Sequence, residues 1–226
     1  MGHGHGHAGA RAGERHRGRL TIAFLMAAVF LVVEVVVALA TDSLALLSDA
    51  GHMLTDTAGL GMALAAIAAA TRSEVGAAAG RTFGLYRLEV LAALANAVLL
   101  FGVAGYVLWE AAHRLEDPVV VPAGPMFAVA AAGLAVNLIG FRLLREGAQE
   151  SLNLRAAYLE VLADAVGSAG VLIAAILIGA TGETWIDPAL AIALGVWILP
   201  RTYRLGAQAL RVLLEAAPPH IDLAAL

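Results

Sequence analysis

The amino-acid sequence predicts an all-α membrane protein, a bundle of six transmembrane helices with both termini in the cytoplasm. Three observations predict this class: the composition, the length of the apolar runs and the position of the arginines. Of the 226 residues, 61% are hydrophobic and the mean hydropathy is +0.83, whereas soluble domains are about 45–50% apolar. We therefore expect a multi-pass protein embedded in the lipid bilayer of a cell membrane, such as the bacterial inner membrane.

Apolar stretches of about 20 residues, the length that crosses a bilayer, occur six times. They are Leu20–Ala40, Leu44–Ala70, Leu88–Ala111, Pro125–Leu144, Ala156–Ala180 and Trp185–Tyr203. The sixth stretch opens with Asp187 and Pro188, a good pair for the cap and first turn of a helix. Pro200 should kink or end this helix near its far side. Asn137, alone within the apolar fourth stretch, predicts a hydrogen bond between helices.

The arginines predict the orientation. All 14 basic residues are arginines and they cluster between the apolar runs. With a cytoplasmic amino terminus, only Arg114 lies on the outer side, which satisfies the positive-inside rule. No basic surface carries interleaved aromatic residues, so no nucleic-acid partner is expected.

Residues 1–19 are polar and Gly-rich, and they predict a disordered cytoplasmic tail before a transmembrane domain over residues 20–214. The tail contains His3, His5 and His7. These histidines either collect metal ions weakly or belong to a tail that has no metal-binding role. The chain contains no cysteine, so thiolate ligands are excluded. Any metal site must be built from His and carboxylate side chains.

The second apolar stretch contains three polar residues, Asp49, His52 and Asp56, in steps of three and four that place them on one helical face. Such groups cost several kcal/mol in lipid and usually serve ions or protons. The fifth stretch repeats the arrangement with Glu160 and Asp164, four residues apart. A satisfied hydrogen-bond network remains the alternative reading of these pairs.

If the two helices face each other, His52, Asp56, Glu160 and Asp164 offer one nitrogen and several oxygens to a divalent metal, with Asp49 as a possible pathway residue. This mixture of donors suits Zn²⁺, while Cd²⁺, Co²⁺ and Mn²⁺ stay open. Mg²⁺ and Ca²⁺ prefer oxygen-only shells. The sequence therefore predicts a metal site buried in the membrane.

No predicted span carries Lys or Arg at its centre, so we expect no internal cation beside these acids. Desolvation and mutual repulsion favour the protonated form of clustered carboxylates. A divalent metal needs the deprotonated ligands and must displace the protons. A site that opens alternately to each side would then exchange metal for protons.

Three segments of the chain resemble the cation diffusion facilitator family of zinc and related divalent-metal transporters. They are SLALLSDAGHMLTD, RTFGLYRLEVLAALANAVLL and RAAYLEVLADAVGSAGVLIAA. The resemblance covers about Leu20 to Leu214. It implies six transmembrane helices, a homodimer and zinc export from the cytoplasm in exchange for protons. It also implies a metal site formed by His52, Asp56, Glu160 and Asp164.

The chain departs from this family in two ways. Most zinc members carry His where this chain has Glu160, so the substitution adds a hard oxygen donor and bears on metal selectivity. Family members usually continue into a cytoplasmic ferredoxin-like domain, so residues 215–226 are expected to be the start of a missing or truncated domain.

Two other function classes are less well supported. A membrane-embedded metal-dependent enzyme would need a water-activating motif or a nucleophile, and neither HExxH nor GxSxG occurs. A metal sensor would need a signalling domain, for which the short tails leave no room. We therefore expect a transporter and not an enzyme.

Overall fold

The computed structural model describes residues 5–73, 86–117, 119–149 and 152–214, and within these ranges the chain is helical without β-strands. The elements in order are α1 (His5–Thr41), α2 (Leu44–Ser73), α3 (Tyr86–Glu116), α4 (Ala123–Leu144), the short 3-10 helix Gly147–Gln149, α5 (Leu152–Thr181) and α6 (Ile186–Leu213). Each of the six predicted spans coincides with one helix, which confirms the all-α class.

The first helix extends beyond the predicted span. It begins at His5 and so includes residues for which the sequence predicts a tail. The side chains of residues 1–16 and all of residues 215–226 lie outside the described part of the chain. The disorder of residues 1–19, the role of the His tract and the start of a further domain therefore stay predictions.

Four of the described helices are long and apolar enough to cross a membrane. The segments are Arg17–Thr41, Val90–Glu116, Ala123–Leu144 and Leu154–Thr181. Helices α2 and α6 are similar in length, and α2 contains Asp49, His52 and Asp56 while α6 contains Asp187 and Arg201. The two helices carry three of the six charged side chains that are buried among the described residues.

Helix α2 is central to the packing. It contacts α1, α3, α5 and α6, while α4 packs on α5 and α3 packs on α6. Fully buried side chains, among them Leu46, Met53, Met126 and Val171, form the main apolar core between α1, α2, α4 and α5. Because α2 is enclosed by other helices, its polar face is turned towards protein rather than lipid.

A polar contact joins α4 to α5 inside the bundle. Asn137 Nδ2 donates a hydrogen bond to Ser168 Oγ at 3.2 Å, which confirms the predicted interhelical role of Asn137. Helix α1 approaches the same point closely, since a Cβ atom on Gly133 would lie 2.6 Å from Phe30 Cζ. The glycine therefore lets α1, α4 and α5 meet beside Ser168.

Asp187 caps a different helix from the one predicted. Helix α6 begins at Ile186, so Asp187 lies in its first turn, where it is fully buried. Its carboxylate accepts hydrogen bonds from Ser43 Oγ at 2.6 Å and from the backbone N–H groups of Leu44 at 2.8 Å and Ala45 at 3.3 Å. The prediction that Asp187 caps α6 is wrong, because the N–H groups at the start of α2 lack intrahelical partners and lie within its reach.

Candidate metal centre

The polar residues of α2 share one face of the helix, as their spacing predicts. Asp49 is 2% exposed and Asp56 is 3% exposed, while 14% of the His52 side chain is exposed. This face is turned towards α5 and α6. The burial removes these groups from water, so their charges depend on partners within the protein.

Asp164 of α5 faces His52 across the helix interface. His52 Nε2 lies 3.4 Å from Asp164 Oδ1 and 3.5 Å from Asp56 Oδ2. One ligand atom from each of the three residues lies within 4.8 Å of the other two. The structure thus brings three of the four predicted ligands into one cluster, which we call the His52 cluster (His52, Asp56 and Asp164).

The donor atoms of the His52 cluster suit a divalent metal. Asp56 Oδ2 and Asp164 Oδ1 are buried and accept no hydrogen bond from any described residue. Buried charged acceptors are costly unless they are paired or bind a metal. Zinc bonds of about 2.0–2.1 Å place neighbouring tetrahedral ligands about 3.3 Å apart, close to the distances seen here. One nitrogen and two oxygens therefore form three corners of a zinc-like site.

Glu160, the fourth predicted ligand, lies beside the cluster and is paired with an arginine. Arg201 Nη2 donates to Glu160 Oε1 at 2.6 Å and to Asp56 Oδ1 at 2.8 Å. Asp56 therefore directs one oxygen at Arg201 and the other at His52. The structure places Glu160 one hydrogen-bonded step away from the cluster.

The expectation that no cation reaches these acids is wrong. Helix α6 does not end near Pro200 but continues to Leu213, and this helical course turns Arg201 towards α2 and α5. Its side chain is 33% exposed and long enough to carry the guanidinium from the edge of the predicted span into the bundle. The signal in the sequence was an arginine near the end of the sixth apolar stretch, which the positive-inside rule assigns to the membrane surface.

A cavity of about 250 Å³ opens beside the Glu160–Arg201 pair. Both members of the pair line it, together with Thr55, Asn96 and Gln208, whereas the other three predicted ligands do not. It lies between the later part of α2, the early part of α3 and the later part of α6. The sequence predicts that this end of the bundle faces the cytoplasm. Glu160 also lines a smaller pocket together with Asp56 and Asp164, so it lies between the cavity and the cluster.

Asp49 forms a second acidic pair, with Glu34 of α1, which is 1% exposed. The Asp49 carboxyl group lies close to that of Glu34 and to the hydroxyl of Ser168, and Glu34 Oε2 and Asp49 Oδ1 are buried without a hydrogen-bond partner among the described residues. The structure therefore places Asp49 beside the cluster, one turn from His52. The sequence contains a signal for Glu34 as a functional residue, because Glu34 is an acidic residue within the apolar stretch of α1.

Close approach of α2 and α5 depends on a glycine. A Cβ atom on Gly167 would lie 2.7 Å from Asp49 Oδ1, a distance too short for a carbon–oxygen contact. Another glycine, Gly59, faces Glu160 Oε2 from α2. Small residues at these positions allow two helices with acidic side chains to pack closely.

We expect Gly167→Ala to lower the free energy of unfolding by about 1–3 kcal/mol, because the added methyl group overpacks the contact with Asp49. Denaturant unfolding in detergent micelles measures the change. Gly102→Ala is the matched control, since its Cβ meets nothing within 4 Å; there alanine should leave stability unchanged or raise it slightly. Equal changes at the two positions would contradict the proposed close contact.

A family model described as the cation efflux transmembrane domain matches residues 20–214. The chain is 51% identical to the metal cation efflux system protein CzcD of Cupriavidus metallidurans over 224 residues, which cover 99% of this chain and 69% of that protein. It is 43% identical to the zinc transporter ZitB of Escherichia coli over 228 residues, covering 100% of this chain and 72% of the relative.

A third relative is named for its cargo and counter-ions. The cadmium, cobalt and zinc/H⁺–K⁺ antiporter of Bacillus velezensis is 38% identical over 224 residues, which cover 98% of this chain and 69% of that protein. The similarity to all three relatives therefore extends over the whole helical bundle.

Proposed function

This chain belongs to the cation efflux family, and from that premise we propose that it exports Zn²⁺ in exchange for protons through the His52 cluster. As a member of the family it is a divalent-metal efflux transporter of a bacterial membrane, and it is not an enzyme. Zn²⁺ is the favoured cargo, since relatives are named for zinc, cadmium and cobalt. Mn²⁺ remains a further candidate because of Glu160.

The observation that carries the proposal is the pair of orphaned oxygens. Asp56 Oδ2 and Asp164 Oδ1 point at the space beside His52 Nε2. The imidazole supplies the nitrogen that favours Zn²⁺ over Mg²⁺ and Ca²⁺. Glu160, the remaining predicted ligand, lines a small pocket together with Asp56 and Asp164, while its Oε1 accepts a hydrogen bond from Arg201.

Exchange with protons follows from the chemistry of these ligands. A metal ion coming from the cavity requires deprotonated carboxylates and a neutral imidazole. Once the ion has left towards the outer side, the same buried groups regain protons because an unpaired charge is costly in the bundle. The protons then leave on the cytoplasmic side as the next ion binds, so metal and protons move in opposite directions.

Two further features belong to the same proposal. The family resemblance supports a homodimer in the lipid bilayer, and the arginine distribution supports cytoplasmic positions for both termini. Mass photometry of the purified protein in detergent measures the oligomeric state. Labelling of single cysteines introduced near each terminus, in intact cells and in opened cells, measures the orientation.

Reconstituted proteoliposomes test the transport itself. In molecules whose cytoplasmic side faces the outer solution, a pH gradient with an acidic vesicle lumen should drive Zn²⁺ into the vesicles. A fluorescent zinc indicator in the lumen reports this entry. The lumenal pH should rise in step with zinc entry. Saturable flux that ceases when the pH gradient is collapsed supports exchange, whereas flux that is linear in Zn²⁺ concentration and insensitive to the gradient would indicate a passive channel.

Glu160→His should keep transport and sharpen the preference for Zn²⁺ over Mn²⁺. The substitution exchanges a hard oxygen for a nitrogen donor, which suits Zn²⁺ better than Mn²⁺. Competition by Mn²⁺ against zinc uptake in the vesicle assay should weaken by about tenfold, the size of effect that neighbours of a metal site commonly have. A competition profile identical to that of the parent would show that Glu160 does not influence the metal selectivity of the site.

A further inference from the structure

Two buried acids lie next to the His52 cluster on the side that the predicted topology makes the outer one. Glu34 of α1 is 1% exposed and Asp49 of α2 is 2% exposed; we call them the outer acid pair. Asp49 is nearer than His52 to the residue where α2 begins, and that end of α2 is predicted to lie at the outer surface of the membrane. An ion that leaves the cluster in the export direction therefore moves towards this pair.

The outer acid pair lacks the partners that buried charges normally have. Glu34 Oε2 and Asp49 Oδ1 accept no hydrogen bond from any described residue, and neither acid belongs to an ion pair within the described part of the chain. Unpaired acids inside a membrane span are costly and mark a path for ions or protons. A cation bound to both oxygens would supply the missing partner.

A polar chain from α4 and α5 supports Asp49. Asn137 Nδ2 donates a hydrogen bond to Ser168 Oγ at 3.2 Å, and the Ser168 hydroxyl lies close to the Asp49 carboxyl group. Carboxylates that bind metals are themselves held by hydrogen bonds from neighbouring groups. Both supporting side chains are buried, so the position of Asp49 is fixed within the protein and does not depend on solvent.

A small cavity connects Asp49 to the His52 cluster. Its volume is about 20 Å³, and its lining includes Asp49, His52, Gly167 and Trp197. A volume of about 10–15 Å³ already holds one water molecule, so a single small ion fits. The unpartnered Oδ1 of Asp49 lies against Gly167, where a Cβ atom would be 2.7 Å away. This oxygen is therefore next to the cavity.

We propose that Glu34 and Asp49 form a second divalent-cation site, an exit station that receives the metal ion from the His52 cluster before its release on the outer side. The inference rests on the proposed function and adds a second step to the path. Two carboxylates match the charge of one divalent cation. Their oxygens suit Mn²⁺ and other hard ions better than Zn²⁺, which is favoured by imidazole. A weaker site after a stronger one lets the ion leave without being trapped.

Manganese binding to the purified full chain in detergent tests for the second site. Asp56→Asn together with Asp164→Asn disables the His52 cluster, and electron paramagnetic resonance of free Mn²⁺ then measures the ions bound elsewhere. A weak site is expected, with a dissociation constant on the order of 0.1–1 mM, as in oxygen-only sites of low affinity. Adding Glu34→Gln should weaken it by about tenfold. Adding Glu183→Gln, the same change at an exposed acid, is the matched control and should leave it unchanged.

Transport separates an exit station from an acid that only supports the fold. In the otherwise unchanged protein, Glu34→Gln should lower the maximal zinc flux into proteoliposomes by about tenfold or more. The dissociation constant of the His52 cluster for Zn²⁺, measured by isothermal titration calorimetry, should stay within about threefold of the parental value. Glu34→Asp keeps the carboxylate and should restore part of the flux.

Three results overturn the inference. The first is a cluster-disabled protein without the weak Mn²⁺ site, and a loss of flux in Glu34→Gln would then assign the outer acid pair to protons. The second is a folded Glu34→Gln protein that transports at the parental rate. The third is a Glu34→Gln protein that binds Zn²⁺ as weakly as it transports it, since Glu34 would then support the cluster. If Glu34→Gln does not fold, Asp49→Asn takes its place in both measurements.

The two hypotheses fail in different ways. A parent protein that binds no Zn²⁺ and moves none contradicts the proposed function. A parent that binds and transports Zn²⁺, with a flux that Glu34→Gln does not alter, contradicts only the exit station.

Discussion

Asp56→Asn should reduce Zn²⁺ flux in proteoliposomes by roughly two orders of magnitude or more. Substituting a residue that only supports a metal ligand already costs about 10–100-fold, and Asp56 has two functions. Its Oδ2 belongs to the His52 cluster and its Oδ1 holds Arg201. Asparagine keeps the shape of the side chain but removes the charge and places a donor amide where a metal ligand is needed.

Proton movement should fall together with zinc flux in this variant, because both ions use the same groups. Glu183→Gln is a suitable control, since Glu183 is an exposed acid between α5 and α6 and should transport at the parental rate. Unfolding measured in detergent separates loss of function from loss of fold. Zinc flux above half the parental rate in a folded Asp56→Asn protein would contradict the placement of the site.

Asp187→Ala should destabilise the bundle by about 2–4 kcal/mol. The substitution removes the acceptor for Ser43 Oγ and for two backbone N–H groups at the start of α2. Losing the cap of α2 costs about 0.5–2 kcal/mol, and a buried donor that still lacks an acceptor after the helices relax costs about 1–3 kcal/mol more. The interaction joins α6 to α2, so its loss should loosen the two helices that bear Arg201 and the cluster.

Denaturant unfolding in detergent measures this effect, and two variants control it. Asp187→Asn retains an acceptor oxygen and should lose only part of the stability. Glu183→Ala changes a nearby exposed acid and should lose almost none. If Asp187→Ala unfolds at the same denaturant concentration as Glu183→Ala, the carboxylate does not stabilise the start of α2.

The helices themselves were predictable from the sequence because the signal is local. Apolar runs of membrane-spanning length located all six helices, and spacings of three and four residues placed His52 beside Asp56 on one face. Asp164 could be matched to them because it lies in a repeat of the same acidic pattern. These inferences need only the helical period and the cost of polar groups in lipid.

The errors concern residues whose partners lie on other helices. Asp187 was assigned to its own helix because its sequence position suits a cap, but the unpaired N–H groups that it satisfies belong to α2. Arg201 was assigned to the membrane surface because it lies near the end of an apolar stretch, although its long side chain reaches back to Asp56. Glu34 lies in the apolar run of the first helix, and it comes close to Asp49 only when α1 packs beside α2.

The sequence by itself determined an apolar six-helix bundle with acidic faces on the second and fifth helices and with His and carboxylates as its only strong metal donors. The tertiary structure decided which of these acids share one space and which is held by an arginine. The physical reason is that helical periodicity fixes the face on which a side chain lies, whereas the rotation and depth of each packed helix fix what that face meets. Arg201 and Glu160 are distant in sequence and become partners only when α6 packs beside α2 and α5.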